Sequence, residues 1–95
     1  MEVRVNIAPE KEEAFNTWYN IVHVPEILNV PGFISGRRFQ RVSGDDITYM
    51  ALYELDCLDA LKSNAYKQAR GWGEFEPYIL NQSWNVYRQI FPEDG

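Results

Sequence analysis

The chain has 95 residues, with 9 lysines and arginines against 14 aspartates and glutamates, and a net charge of −5. This length suits one small domain, and the negative charge argues against nucleic acid or an anionic membrane as the main partner. No run approaches the ~20 apolar residues that span a bilayer. The single cysteine excludes an internal disulfide and favours a reducing compartment. We therefore predict one soluble, cytoplasmic domain over residues 1–95.

The first part of the chain predicts a strand and then a helix. Residues 2–8 alternate apolar and polar side chains, which is typical of a strand. Pro9 and the glutamates after it suit a helix N-terminus, so a helix is predicted over residues 9–22. Pro25 lacks a backbone donor and predicts a broken connection over residues 23–32. The apolar stripe predicted for this helix consists of Ala14, Phe15, Trp18, Ile21 and Val22.

The remaining elements follow from similar patterns. Residues 33–42 and 47–55 are β-rich and separated by Ser-Gly-Asp-Asp, which predicts an antiparallel pair joined by a turn. A second helix is predicted over residues 57–70, with Asp56 and Asp59 in a capping arrangement at its start. Its apolar positions are Leu58, Leu61, Ala65 and Ala69. One helical turn is expected within residues 71–80, and a last strand over residues 83–91.

The predicted order is β-α-β-β-α-β, which indicates an α+β, ferredoxin-like fold with a four-stranded antiparallel sheet and two helices on one face. The third strand is apolar on both sides, because Tyr49, Ala51 and Tyr53 alternate with Met50 and Leu52. A sheet with one wet face would carry polar residues there. We therefore expect a second copy of the chain to cover the free face, which makes the protein a homodimer.

Residues 13–39 (EAFNTWYNIVHVPEILNVPGFISGRRF) and 49–55 (YMALYEL) resemble the dimeric α/β-barrel superfamily. The resemblance is closest to its EthD-like branch, named for ethyl tert-butyl ether degradation. It implies a dimeric α/β barrel with a cleft between the helices and the sheet of each subunit. Superfamily members include monooxygenases, cyclases and isomerases that use no cofactor. The resemblance therefore implies that this protein uses no cofactor. The second helix lacks the tryptophan and histidine that haem-degrading members would be expected to keep.

His23 is the only histidine of the chain. At about 100° per residue it lies roughly 130° from the middle of the apolar stripe, so we predict that it faces solvent or has left the helix. One interpretation is a cap at the helix C-terminus. The resemblance implies another, in which His23 lies at the mouth of the cleft as an acid, a base or a donor. Tyr19 is either a second proton donor there or part of the core.

Five further side chains are candidates for ligand binding. The aromatic ones are either pocket walls or ordinary core. Arg37 and Arg38 point to opposite faces of a strand, so one of them faces inward and needs an acidic partner or an anionic ligand. Glu54, or a glutamate of the other subunit, is the expected partner. The candidates are Phe15, Trp18, Arg38, Tyr53 and Trp84.

These observations predict a protein that binds a small apolar or aromatic molecule. If the protein is an enzyme, the resemblance implies proton transfer of the cyclase, isomerase, lyase or monooxygenase kind without a cofactor, with His23 as acid or base. The alternative is a non-catalytic protein that binds a hydrophobic ligand or serves as an accessory subunit. Neither a metal site nor nucleic acid binding is expected.

Overall fold

The structure is a computed structural model that describes residues 1–93. Four antiparallel strands form one sheet in the order β2-β3-β1-β4, and the helices pack on one of its faces. The predicted α+β, ferredoxin-like fold is confirmed. The strands are β1 (Glu2–Ile7), β2 (Phe33–Gln40), β3 (Tyr49–Leu55) and β4 (Ile79–Asn85).

The first helical segment is longer than the sequence predicts. It begins with a 3₁₀ turn, Pro9–Lys11, and continues as α1 (Glu12–Trp18), a π turn (Tyr19–His23) and α2 (Val24–Leu28). The prediction that the helix ends at residue 22 and that a broken connection follows is wrong. Pro25 is tolerated because it lies in the first turn of α2, directly after the π turn, where a missing donor costs little.

The predicted apolar stripe of this helix is also wrong in its second half. Ile21 and Val22 are 68% and 42% exposed. In the π turn the N–H of Val24 bonds the carbonyl of Tyr19, five residues back, so one extra residue is accommodated. Without the π turn, each side chain would be rotated by about 40° around the helix axis relative to the one four residues before it. The buried row now has a spacing of four: Phe15, Tyr19, His23 and Ile27.

The second helical segment is two short pieces rather than the predicted continuous helix. A 3₁₀ helix, Leu58–Lys62, is separated from α3 (Asn64–Ala69) by Ser63 in extended conformation. The Ser63 hydroxyl accepts a hydrogen bond from a backbone N–H in the first turn of α3 and so caps it. The predicted cap by Asp56 and Asp59 is not formed, since no side chain caps the 3₁₀ helix. None of the helices within residues 1–93 has the length and apolar character needed to cross a membrane.

The last strand lies earlier than predicted. A 3₁₀ turn, Gly73–Tyr78, leads directly into β4, which ends at Asn85 instead of continuing to residue 91. The reason is its neighbour: β4 pairs with β1, and Asn85 is opposite Glu2 at the start of β1. Beyond that pair β1 offers no further backbone, so the alternating pattern of residues 86–91 meets no partner strand within the described chain.

Candidate functional site

An open cleft of about 720 Å³ lies between α3 and β4. Its volume falls in the range of about 300–1,000 Å³ that is usual for small-molecule sites. Trp72 and Trp84 line it, with ring centroids 5.6 Å apart. The indole N–H of Trp72 donates to Oε1 of Gln82 at 2.6 Å, which fixes the orientation of the ring. Trp84 is 44% exposed and presents its indole to a ligand, whereas Trp72 is 2% exposed and forms the buried wall beside it.

A small inner cavity adjoins this cleft and shares Trp72 and Trp84 with it. Its volume is about 10 Å³, room for about one water molecule. Tyr19, His23 and Tyr53 also line it. The titratable candidate residues of the first helical segment, Tyr19 and His23, and the one of β3, Tyr53, thus line one cavity, which has room for a single atom group.

His23 is buried, with only 5% of its surface exposed, so the prediction that it faces solvent or has left the helix is wrong. The π turn brings it onto the inward row, and the helix continues past it, which also excludes a C-terminal cap. Its ring stacks on Trp18 at 4.7 Å and meets Tyr19 edge-on at 4.9 Å. Burial, and then the charge of Arg38, lower the pKa of His23 to about 4.

The two tyrosines of the inner cavity stay protonated at neutral pH. Burial raises the pKa of Tyr19 to about 12 and raises the pKa of Tyr53 further. Within residues 1–93, the buried hydroxyl of Tyr53 has no partner that meets the distance and angle of a hydrogen bond, although the Tyr19 hydroxyl lies near enough to influence its pKa. A buried hydroxyl without a partner costs about 1–3 kcal/mol, which a ligand acceptor would recover.

Arg38 faces the helices, as one of the two adjacent arginines must, but the predicted pairing with Glu54 is wrong. Its guanidinium donates to Asn16 and Asn20 and lies 4.2 Å from the centre of the Tyr19 ring. Glu54 accepts instead from the hydroxyl of Ser35 on the other face of the sheet. Because neutral amides hold Arg38, its positive charge is not cancelled locally and disfavours a second cation nearby.

The structure brings some of the predicted site residues together and leaves others apart. Phe15 is fully buried in the core and Trp18 packs behind His23, while Arg38 lines neither the cleft nor the inner cavity. Those that line one or both spaces are Tyr19, His23, Tyr53 and Trp84.

Sequence reasoning missed several residues that line both spaces, among them Arg70 and Trp72. Arg70 has the position of an ordinary last residue of a helix, and Trp72 lies between two glycines in a segment that predicts a turn. The available signal was the tryptophan itself, because a large aromatic side chain between two glycines needs a place to be buried.

The arrangement suits proton transfer to or from a ligand that enters through the cleft. A neutral imidazole accepts a proton, and two protonated phenols donate hydrogen bonds to one oxygen atom. Among residues 1–93 no three histidine, cysteine or acidic side chains gather as a metal site would require.

Comparisons with known proteins identify the family and the fold. The sequence model of one family, described as "Domain of unknown function (DUF4286)", matches residues 1–72. A search of curated proteins finds no match. A Nitrosomonas europaea protein provisionally named an antibiotic biosynthesis monooxygenase has a similar structure, with a TM-score of 0.64 and 20% identity over 98% of this chain and 90% of that one.

An EthD family protein from Bacillus halodurans C-125 is also similar, with a TM-score of 0.58 and 16% identity over 90% of this chain and 96% of that one. The resemblance to EthD-like proteins is confirmed in the fold. The part of the cleft built from β4, including Trp84, lies outside the residues that the family model matches.

Proposed function

Because the chain belongs to the DUF4286 family, whose function its description leaves open, we propose a function from the site itself: the protein binds a small ring-containing molecule in the cleft and moves a proton at its inner end. One observation carries the proposal. An aromatic cleft leads to a cavity for a single atom group, and His23, Tyr19 and Tyr53 all line that cavity.

The protonation states assign the roles. At neutral pH His23 is a neutral imidazole and accepts a proton from an acidic carbon of the ligand, while the phenols donate hydrogen bonds to the adjacent carbonyl oxygen. The unpartnered hydroxyl of Tyr53 favours this, since an oxygen atom placed in the cavity gives it an acceptor. The charge of Arg38 stabilises negative charge that develops nearby. Such chemistry needs no cofactor.

Exchange of ligand protons with solvent tests this proposal without knowledge of the natural substrate. Aromatic ketones and 1,3-dicarbonyl compounds are incubated with the protein in D₂O, and the loss of the proton next to the carbonyl is followed by NMR. We expect exchange above background for compounds that bind, with a rising pH limb near the His23 pKa of about 4. His23→Gln should abolish the exchange and leave binding nearly intact.

One control variant and one possible outcome separate an enzyme from a non-catalytic binding protein. Val42→Lys changes a side chain that is 99% exposed and lies outside the site, so exchange should persist in that variant. If compounds bind in the cleft but none exchanges faster than background, the enzyme proposal fails and the non-catalytic alternative, a carrier or accessory protein, is supported instead.

We also propose that the protein is a homodimer in which the helix-free faces of two sheets meet as an α/β barrel. Met50, Leu52 and Phe39 lie on that face, and Leu52 and Phe39 are 40% and 45% exposed. Apolar side chains on a free sheet face are usual where another surface covers them. The apolar residues after β4 add to the exposed surface: Val86, Tyr87, Ile90 and Phe91.

Sedimentation equilibrium tests the dimer. We expect twice the chain mass of 11.1 kDa at micromolar concentration, and a shift to the monomer for Leu52→Lys. Val42→Lys is the matched control, because it adds the same charge to a side chain in the loop between β2 and β3. A wild-type mass of one chain would contradict the proposal.

A further inference from the structure

The charged groups of the cleft are unlike those of the whole chain. The chain carries a net charge of −5, but the charged side chains that line the cleft are Lys67, Arg70 and Glu76, which sum to one positive charge. Both cations come from the same short helical region, at and just after α3, so they lie on one side of the opening. Positive charge concentrated at a cleft in an acidic protein attracts anions to that cleft.

Arg70 is the better placed of the two cations. It lines the open cleft and also the inner cavity, whereas Lys67 lines only the cleft. Its guanidinium lies near the phenol of Tyr66, where its charge opposes the rise in pKa that burial causes there. Gly71 follows it in a left-handed conformation, with φ of 105°, and a Cβ placed there would meet no atom within 4 Å. The backbone beside Arg70 therefore leaves space for a ligand.

Neither cation has an ion-pair partner in the part of the chain that the structure describes. Among residues 1–93 the ion pairs join Arg4 to Glu2 and to Asp46, and none involves Lys67 or Arg70. A guanidinium has a planar fork of donors that matches a carboxylate or a similar oxyanion. Arg70 thus offers unused donors at the point where the cleft meets the inner cavity.

We infer that the ligand of the cleft carries an anionic group of the carboxylate type, which Arg70 binds while the ring of the ligand packs on the exposed indole of Trp84. This inference rests on the proposed function and narrows its ligand to anionic ring compounds. Lys67 adds long-range attraction at the rim. Glu76, on the same cleft, disfavours ligands that carry a second negative group near it.

A pair of fluorescent probes that differ in one charged group tests the inference. 1-Anilinonaphthalene-8-sulfonate is an anion, and N-phenyl-1-naphthylamine has the same rings without the sulfonate. Binding of each is followed by energy transfer from the tryptophans. We expect the anionic probe to bind about tenfold more tightly, as a charge-assisted hydrogen bond at a partly exposed site would give, and added salt should weaken only that probe.

Arg70→Gln should remove the preference for the anionic probe and leave the neutral probe unchanged. Lys62→Gln is the matched control, since it makes the same change in net charge from an exposed residue outside the cleft. Equal affinity of both probes in the wild type, or equal effects of the two substitutions, would overturn the inference while leaving the proposed function in place. Failure of both probes to bind would instead overturn the proposed function.

Discussion

Acidification should destabilise the protein through His23, and His23→Gln should remove that effect. The imidazole has a pKa of about 4 in the folded chain against an ordinary value of 6.5. Between these two pH values the unfolded chain binds a proton that the folded chain does not, so the free energy of unfolding falls as the pH drops from 6.5 to 4. At about 1.4 kcal/mol per pH unit, the loss is about 3 kcal/mol by pH 4.

Urea unfolding of the wild type and of His23→Gln at a series of pH values from 7 to 4 measures this loss. Carboxylates also titrate in this range, but the two proteins share all of them, so the difference between their pH slopes isolates His23. Because His23 is the only histidine, its ring protons give one NMR titration curve, with an expected midpoint near 4. Parallel slopes for the two proteins, or a midpoint near 6.5, would refute the buried neutral imidazole.

Two further predictions concern the backbone, and chemical unfolding checks both. Gly32 and Gly44 have φ of 101° and 109°, so alanine strains the backbone alike at both positions, but only at Gly32 would the new Cβ lie 2.7 Å from Cβ of Ala60. Gly44→Ala should lower the free energy of unfolding by about 1 kcal/mol, and Gly32→Ala should lower it by about 2 kcal/mol more. Equal losses in the two variants would contradict the close approach of Gly32 to Ala60. Ser63→Ala should lower the free energy of unfolding by about 1 kcal/mol, because it removes the cap of α3. The control Ser43→Ala, in an exposed loop, should lower it by less than half of that. Equal losses in the two variants would argue against the cap.

Patterns of period two predicted β1 and β3 well, because alternate side chains of these strands lie in the core. The alternation in residues 2–8 predicted β1, and its buried side chains are the ones the pattern selects. The pattern in residues 83–91 predicted a strand that ends earlier in the structure. Alternation indicates a tendency to extend, but a strand also needs a neighbouring strand to pair with. The neighbour of β4 is β1, whose first residue, Glu2, is opposite Asn85, so residues after Asn85 have no part of β1 to pair with.

Helical spacing failed where the helix changes pitch. Nothing in the sequence from Tyr19 to His23 distinguishes a π turn from an α turn, since the choice depends on which rows of side chains fit the sheet. His23 was therefore recognised as a candidate but placed on the wrong side of the helix. Arg70 and Trp72 were not recognised at all, because their importance arises only when the segment after α3 folds against β4.

The π turn also keeps the two ends of the first helical segment facing the same way. Phe15 and Ile27 are 12 positions apart, and at about 100° per residue an unbroken α-helix would turn their side chains about 120° away from each other. The π turn absorbs one extra residue, so the two side chains are placed as if they were about 11 positions apart, which leaves a difference of only about 20°. The turn is therefore a spacer that lengthens the segment carrying Tyr19 and His23 without rotating α1 against α2.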